Sequence, residues 1–236
     1  MSISIITATF NSSKTLPLLI ESLKGQIDKD FEWIISDGAS NDETLEVLNN
    51  ISGLNIKISS QHDFGIYDAI NRAIRISTYD YYLVVGSDDI LAPEAVKVFK
   101  EAILSKPVDI VVANISMGAN KITPKNLPSW YCGQFAYISG HSVGTLIKKD
   151  LHSKYGLYSK KYPIAADQLF ILKACMDGVE IQYINKIVGE FGDMGVSSVD
   201  TLGMMTEYLR VQIEVGHNKT IQLLLFAARI IKKILI

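Results

Sequence analysis

The chain has 236 residues, 48% of them hydrophobic, and a formal net charge of −2. That is enough apolar material for one large domain, and no basic field marks the surface for nucleic acid. Two widely separated cysteines, Cys132 and Cys175, argue against a disulfide scaffold and against a cysteine metal centre.

The opening "MSISIITATF" has no basic segment ahead of a long apolar run, so it reads as a strand rather than a leader. No stretch approaches the ~18–20 apolar residues of a membrane span. The expected location is therefore cytoplasmic.

The first half alternates strand and helix. Strands are predicted at Ser2–Thr9, Glu32–Ser36, Leu54–Ser59, Tyr81–Val85 and Asp109–Ala113. Between them, Leu16, Leu19, Ile20 and Leu23 recur at helical spacing. Ser40 and Glu43 have the spacing of a capping box that opens a second helix. Ile66, Ala69, Ile70, Ala73 and Ile74 mark a third, and Pro93 stands where the first turn of a fourth would tolerate it. Apolar strands alternating with helices predict an α/β fold whose mainly parallel sheet is covered on both faces.

Residues 115–165 are rich in Gly, Pro, Ser and Tyr and weakly periodic. A helix over about Asp167–Asp177, a short strand pair around Val179–Phe191, the loop "GDMGVSS" (Gly192–Ser198) and two closing helices complete the expectation.

Ligands of such sheets collect at the carboxyl ends of the strands. Those ends are polar and acidic here: "TFN", "SDGAS", "SQHDFG" and "GSDD". There is no G-x-G-x-x-G and no Walker lysine, so a diphosphate would need another neutraliser. Asp88 and Asp89 are either a divalent-metal site completed by the ligand's phosphates or a solvated turn that caps the Pro93 helix. Asp37 is either a base or ribose acceptor or the start of an Asx turn. Asn71 is a core polar contact or a ligand contact. Asp167 is an N-cap or a general base. His141 is a ligand or phosphate contact, a proton shuttle, or a satisfied structural histidine.

The last stretch, "IQLLLFAARIIKKILI", places Arg229, Lys232 and Lys233 on one face of an otherwise aliphatic helix. It reads as a membrane-surface element or as a core or oligomer helix.

Taken in order, "TATFN", "SDGASNDET", "DFGIYDAINRAI", "VVGSDD", "SGHSVGTLIKKDL", "YPIAADQLFILK" and "FGDMGVSS" resemble the bacterial family 2 glycosyltransferases of GT-A fold. The resemblance is to the short members that build surface polysaccharides such as capsule and lipopolysaccharide. It implies a catalytic domain over 1–198, with a nucleotide-sugar half (1–114) and an acceptor half (115–198), followed by C-terminal helices over 199–236. It also implies inverting transfer from a nucleotide sugar, expected to be a UDP-sugar, to a saccharide or lipid-linked saccharide, with Mn²⁺ or Mg²⁺.

By the same resemblance, Asp167 is the catalytic base and Thr9, Asp37, Gly65, Asn71, Ser87 and Asp88 bind the donor. Asp88 holds the metal with help from Asp89, and His141 contacts phosphate or acceptor. Gly86, Ala166 and Ser142 stand where the family pattern has the first D of D-x-D, the acidic residue before the base, and the glutamine after the histidine. The alternatives are a sugar nucleotidyltransferase, although "TATFNSSKT" lacks that class's loop glycines, and a non-catalytic nucleotide-sugar scaffold.

Overall fold

Four apolar strands carry the amino-terminal half of the computed structural model, which describes residues 2–192 and 200–234. β1 (Ile3–Thr9), β2 (Phe31–Asp37), β3 (Ile56–Ser60) and β4 (Tyr81–Val84) lie parallel in the order β3-β2-β1-β4. Successive side chains of a strand point to opposite faces, and both faces of β1, β2 and β4 are buried, while β3 forms the more exposed edge. Ile5, Trp33, Ile35 and Leu83 pack under α1 (Leu16–Lys24) and α4 (Ala95–Ser105). Ile6, Ile34, Tyr82 and Val84 pack under α3 (Ile66–Ile76) and α7 (Ala166–Met176). In α1, Leu16, Leu19, Ile20 and Leu23 are all buried, each worth roughly 1.5–3 kcal/mol of transfer free energy.

The second half completes a nine-stranded sheet in the order β3-β2-β1-β4-β8-β6-β9-β5, with β7 on β6. β5 (Ile90–Leu91), β6 (Ile110–Met117), β7 (Asn120–Ile122), β8 (Thr145–Lys148) and β9 (Ile181–Glu190) supply it. β8 pairs antiparallel with both β4 and β6. The parallel block is thus the amino-terminal part of the sheet, and the rest is mixed.

The remaining helices are α2 (Thr44–Asn49), α5 (Ser129–Cys132), α6 (Leu151–Tyr155), α8 (Thr201–Glu214) and α9 (Lys219–Ile234), with a 3₁₀ turn over Gly133–Ala136. Among the described residues, no helix is long and apolar enough to cross a membrane.

Three local expectations need correction. The strand pair around Val179–Phe191 is one strand: Ala113 pairs with Ile184 and Asn114 with Ile187, so Asn185 and Lys186 are absorbed as an irregularity, not a turn. The capping box does not form. Ser40 turns back to Asp37, and Asp42 Oδ1 accepts the Thr44 N–H instead. Asp167 is not the N-cap of α7, a place taken by Ala165. Of "GDMGVSS", all but Gly192 lies outside the described residues.

Candidate active site

β1, β2 and β3 succeed one another in one direction and β4 lies on the other side of β1, so the order reverses between β1 and β4. Outside the carboxyl ends of these strands is where such sheets bind ligands. The loop after β4, Gly86–Asp89, sits there. The Thr15 hydroxyl, from the β1 side, lies 3.4 Å from Ser87 Oγ across the gap.

Asp88 and Asp89 differ in role. Asp89 is buried, and its carboxylate accepts from Gly86 N (2.5 Å), Gly192 N (2.8 Å) and the Ser142 hydroxyl. Burial pushes its pKa up, against those hydrogen bonds. It clamps the loop to the β8 side and to the end of β9. Asp88 is half-buried and packs against Gly192, where an added Cβ would overlap its carboxylate and meet its backbone oxygen at 2.6 Å. Among the described residues, no group of three His, Cys, Asp or Glu side chains converges on a cation position.

Asp37 is fully buried at the end of β2. Its oxygens accept from Thr9 Oγ1 (3.0 Å), Ser40 N (3.0 Å), Ser40 Oγ (2.5 Å) and Ser60 Oγ (2.7 Å). Burial raises its pKa, but these donors outweigh that and hold it below the ordinary carboxylate value. Asp37 therefore ties together the ends of β1, β2 and β3, and Thr9 is spent on it. Asn11 and Ala39 are non-glycine residues at positive φ (51° and 62°), and Asn11 N donates to Ser40 Oγ (2.9 Å). Such backbone strain clusters where a binding edge is over-determined. Gly65 starts α3 at φ 105°, a conformation that a side chain would strain.

A second group of polar side chains is built on α7. Asp167 is 9% exposed. Its Oδ1 accepts from the Tyr67 hydroxyl at 2.6 Å and its Oδ2 from Gln134 Nε2 at 2.9 Å. Burial and the Asp167 charge push the Tyr67 pKa far up, so Tyr67 stays a donor. Glu207, from α8, accepts the N–H groups of Ile164 and Ala165, both at 2.9 Å, and so caps the helix that carries Asp167.

His141 is buried, with Nε2 2.6 Å from the Tyr158 hydroxyl. Burial lowers its pKa, with Asp167 opposing. Asn71 spends its amide on both backbone groups of Tyr158 (2.8 and 3.0 Å), which makes it a core clamp. The turn that holds His141 and Ser142 continues into Val143, a buried β-branched residue at φ 65°. That strain is held by the bond from Val143 N to the Val84 carbonyl (2.8 Å).

The predicted residues thus gather into two groups. Thr9, Asp37, Gly65, Ser87, Asp88 and Asp89 lie at the strand ends and the start of α3. His141 and Asp167 lie on the α7 side, with Asn71 behind them. Tyr67, Gln134 and Glu207 were missed by the sequence reading.

Residues 4–164 match the family described as Glycosyl transferase family 2. The chain belongs to that family. It is a glycosyltransferase, and the sugar nucleotidyltransferase alternative is set aside. Over 206 residues it is 27% identical to the PGL/p-HBAD biosynthesis glycosyltransferase of Mycobacterium bovis, covering 81% of this chain and 77% of that one.

Among solved structures, the GT-A glycosyltransferase fold recurs in S. aureus TarS with UDP-GlcNAc. The TM-score is 0.71 at 21% identity, covering 97% of this chain and 71% of TarS. It recurs too in the Pyrobaculum calidifontis mannosyltransferase with GDP-Man and Mn²⁺. There the TM-score is 0.70 at 16% identity, covering 96% of this chain and 68% of the other.

Proposed function

We propose that this glycosyltransferase moves a sugar, with inversion, from a UDP-sugar to a hydroxyl of a lipid-linked saccharide at the inner face of the cytoplasmic membrane, in surface polysaccharide synthesis. The observation that carries the reading is Asp167, a buried carboxylate aimed by one donor on each oxygen and facing no lysine or arginine in any described ion pair or hydrogen bond. Each oxygen keeps a lone pair for a proton. The acceptor hydroxyl gives its proton to Asp167 as its oxygen attacks the anomeric carbon. The bond from that carbon to the diphosphate breaks, and its electron pair leaves with the nucleoside diphosphate.

A UDP-sugar is supported by the structural likeness to TarS, solved with UDP-GlcNAc. Asp88 is the residue for Mn²⁺ or Mg²⁺. A single hard carboxylate at a strand-end turn suits a cation that takes its other ligands from phosphates and water. That ion would neutralise charge on the departing diphosphate. Asp89 serves better as the clamp beneath Asp88 than as a second ligand, because its oxygens are occupied. Asp37 and Thr9 act by fixing the rim at Ser40 and Ser60, not by reaching the nucleotide themselves.

The membrane contact is assigned to α9. Ile221, Leu224 and Ile231 are exposed at near-helical spacing, with Lys232 and Lys233 exposed beside them. Arg229 leaves the expected basic stripe: its guanidinium stacks on Tyr208, 4.5 Å from the ring centroid.

The test is nucleotide release from UDP-, GDP- and dTDP-sugars, with and without Mn²⁺, in the presence of a lipid-linked acceptor extract, followed by NMR of the product's anomeric configuration. Mn²⁺-dependent release from a UDP-sugar with inversion is expected. Retention of configuration, or release only from another nucleotide, contradicts the proposal.

A further inference from the structure

Four side chains behind the acceptor side form one hydrogen-bonded line. His141 Nε2 lies 2.6 Å from the Tyr158 hydroxyl, which lies 2.7 Å from the Tyr82 hydroxyl, which lies 2.7 Å from His152 Nε2. His152 Nδ1 ends the line 3.0 Å from the Gly156 carbonyl oxygen.

That last contact gives the line a direction. A carbonyl can only accept, so the His152 ring proton sits on Nδ1 and its Nε2 must accept. Tyr82 therefore donates to His152. With its one proton spent, Tyr82 accepts from Tyr158. Tyr158, its proton spent in turn, accepts from His141. His141 thus carries its proton on Nε2 and keeps a lone pair on Nδ1, which has no hydrogen-bond partner among the described residues.

The surroundings hold this arrangement. Tyr82 and Tyr158 are buried at 0% and 2% exposure, out of reach of exchanging water. Asn71 pins the Tyr158 backbone, and His152 stacks on Phe170 of α7 at 4.4 Å. Burial lowers the His152 pKa to about 4, so its ring is neutral near pH 7 and the direction is not reversed.

A lone pair at Nδ1 repels phosphate oxygens, which are acceptors too. It suits a hydroxyl. The Tyr158 ring that His141 bonds lies 5.5 Å from the ring of Tyr67, the donor to Asp167, so His141 and the base share one cluster. Resting on the reading of Asp167 given above, we infer that His152, Tyr82 and Tyr158 are positioning residues that lock His141 as the Nε2–H tautomer, whose Nδ1 accepts a hydrogen bond from a hydroxyl of the acceptor saccharide.

The test is a ¹H–¹⁵N spectrum of the histidine rings in the full-length protein at neutral pH without substrate, for wild type and Tyr82→Phe, followed by steady-state kinetics. Wild type should show His141 protonated on Nε2 and bare on Nδ1, with His152 the reverse. Tyr82→Phe frees the Tyr158 proton to point at His141, so His141 should shift toward the Nδ1–H form. The variant's kcat should fall about tenfold and its acceptor KM rise, with donor KM within about twofold. His152→Gln, which can still accept from Tyr82, should retain most of the wild-type rate.

A wild-type His141 protonated on Nδ1 overturns the inference, and that spectrum decides even if Tyr82→Phe fails to fold. An unmoved tautomer in a folded Tyr82→Phe, or a rise confined to donor KM, overturns it as well. The expected tautomers with no sugar transfer from any donor would instead count against the proposed function, leaving the lock in place.

Discussion

Tyr67 and Gln134 approach different oxygens of Asp167, so they aim the carboxylate without exhausting it. Removing one donor should disturb aim more than binding. Tyr67→Phe is expected to lower the rate of transfer about tenfold while the Kd for UDP stays put, as read by kinetics beside calorimetry. At the strand ends, Gly192 is the residue most exposed to a test, because its missing Cβ is the space that Asp88 fills. Gly192→Ala should weaken Mn²⁺-dependent UDP binding about tenfold or more, and calorimetry with and without Mn²⁺ checks it.

Asp88 and Asp167 could be picked out from sequence because their motifs stand in family order. Their partners could not. Tyr67 reads as one more residue of an amphipathic helix, and Gln134 falls in a stretch with no period. Two of the four bonds to Asp37 come from Ser40 in the turn the sequence already suggested, but those from Thr9 and Ser60 come from strands far apart in sequence, and no spacing announces them.

At the scale of elements, two carboxylates hold pieces together. Glu32, at the start of β2, binds Ser4 of β1 (2.6 Å), Lys57 of β3 (2.7 Å) and the Thr78 N–H ahead of β4 (2.6 Å). Burial pushes its carboxyl up, but these bonds, Lys57 foremost, bring it down to about 2 from an ordinary 4.5. A depressed carboxylate stabilises the fold above its unfolded pKa and loses that stability as pH falls through the folded one. Denaturation between pH 4.5 and 2 should therefore show a loss of roughly 3 kcal/mol that Glu32→Gln removes, measured by urea melts across that range.

Glu207 does for α7 what the expected Asp167 cap would have done. Glu207→Ala leaves one buried and one half-buried N–H group unpaired and should cost about 1–3 kcal/mol in a urea melt. Neither this cap nor β8 was legible. Glu207 lies beyond the family motifs, and Thr145–Lys148 is a four-residue strand whose place between β4 and β6 is set by pairing, not by its own pattern. The four parallel strands and α1, α3 and α4 were legible, because β1, β2 and β4 are buried on both faces and the helical apolar stripes are regular.

Across the whole molecule, α8 and α9 diverge. α8 is tied to the body, through Glu207 on the start of α7 and Gln212 Nε2 on the Ser129 carbonyl oxygen (3.0 Å). α9 touches the body through Gln222 and Arg229 and leaves Leu224 (67%) and Ile231 (56%) exposed. Deleting Leu223–Ile236 should release the protein from anionic vesicles in a sedimentation assay without loss of UDP binding, and a truncated protein that still sediments contradicts the assignment of α9.

The central claim is that Asp167 takes the acceptor's proton. Its most direct test is sugar transfer by Asp167→Asn beside its affinity for UDP with Mn²⁺. The account predicts transfer reduced by about 10²–10⁴-fold with unchanged affinity. A variant that transfers at the wild-type rate would contradict it.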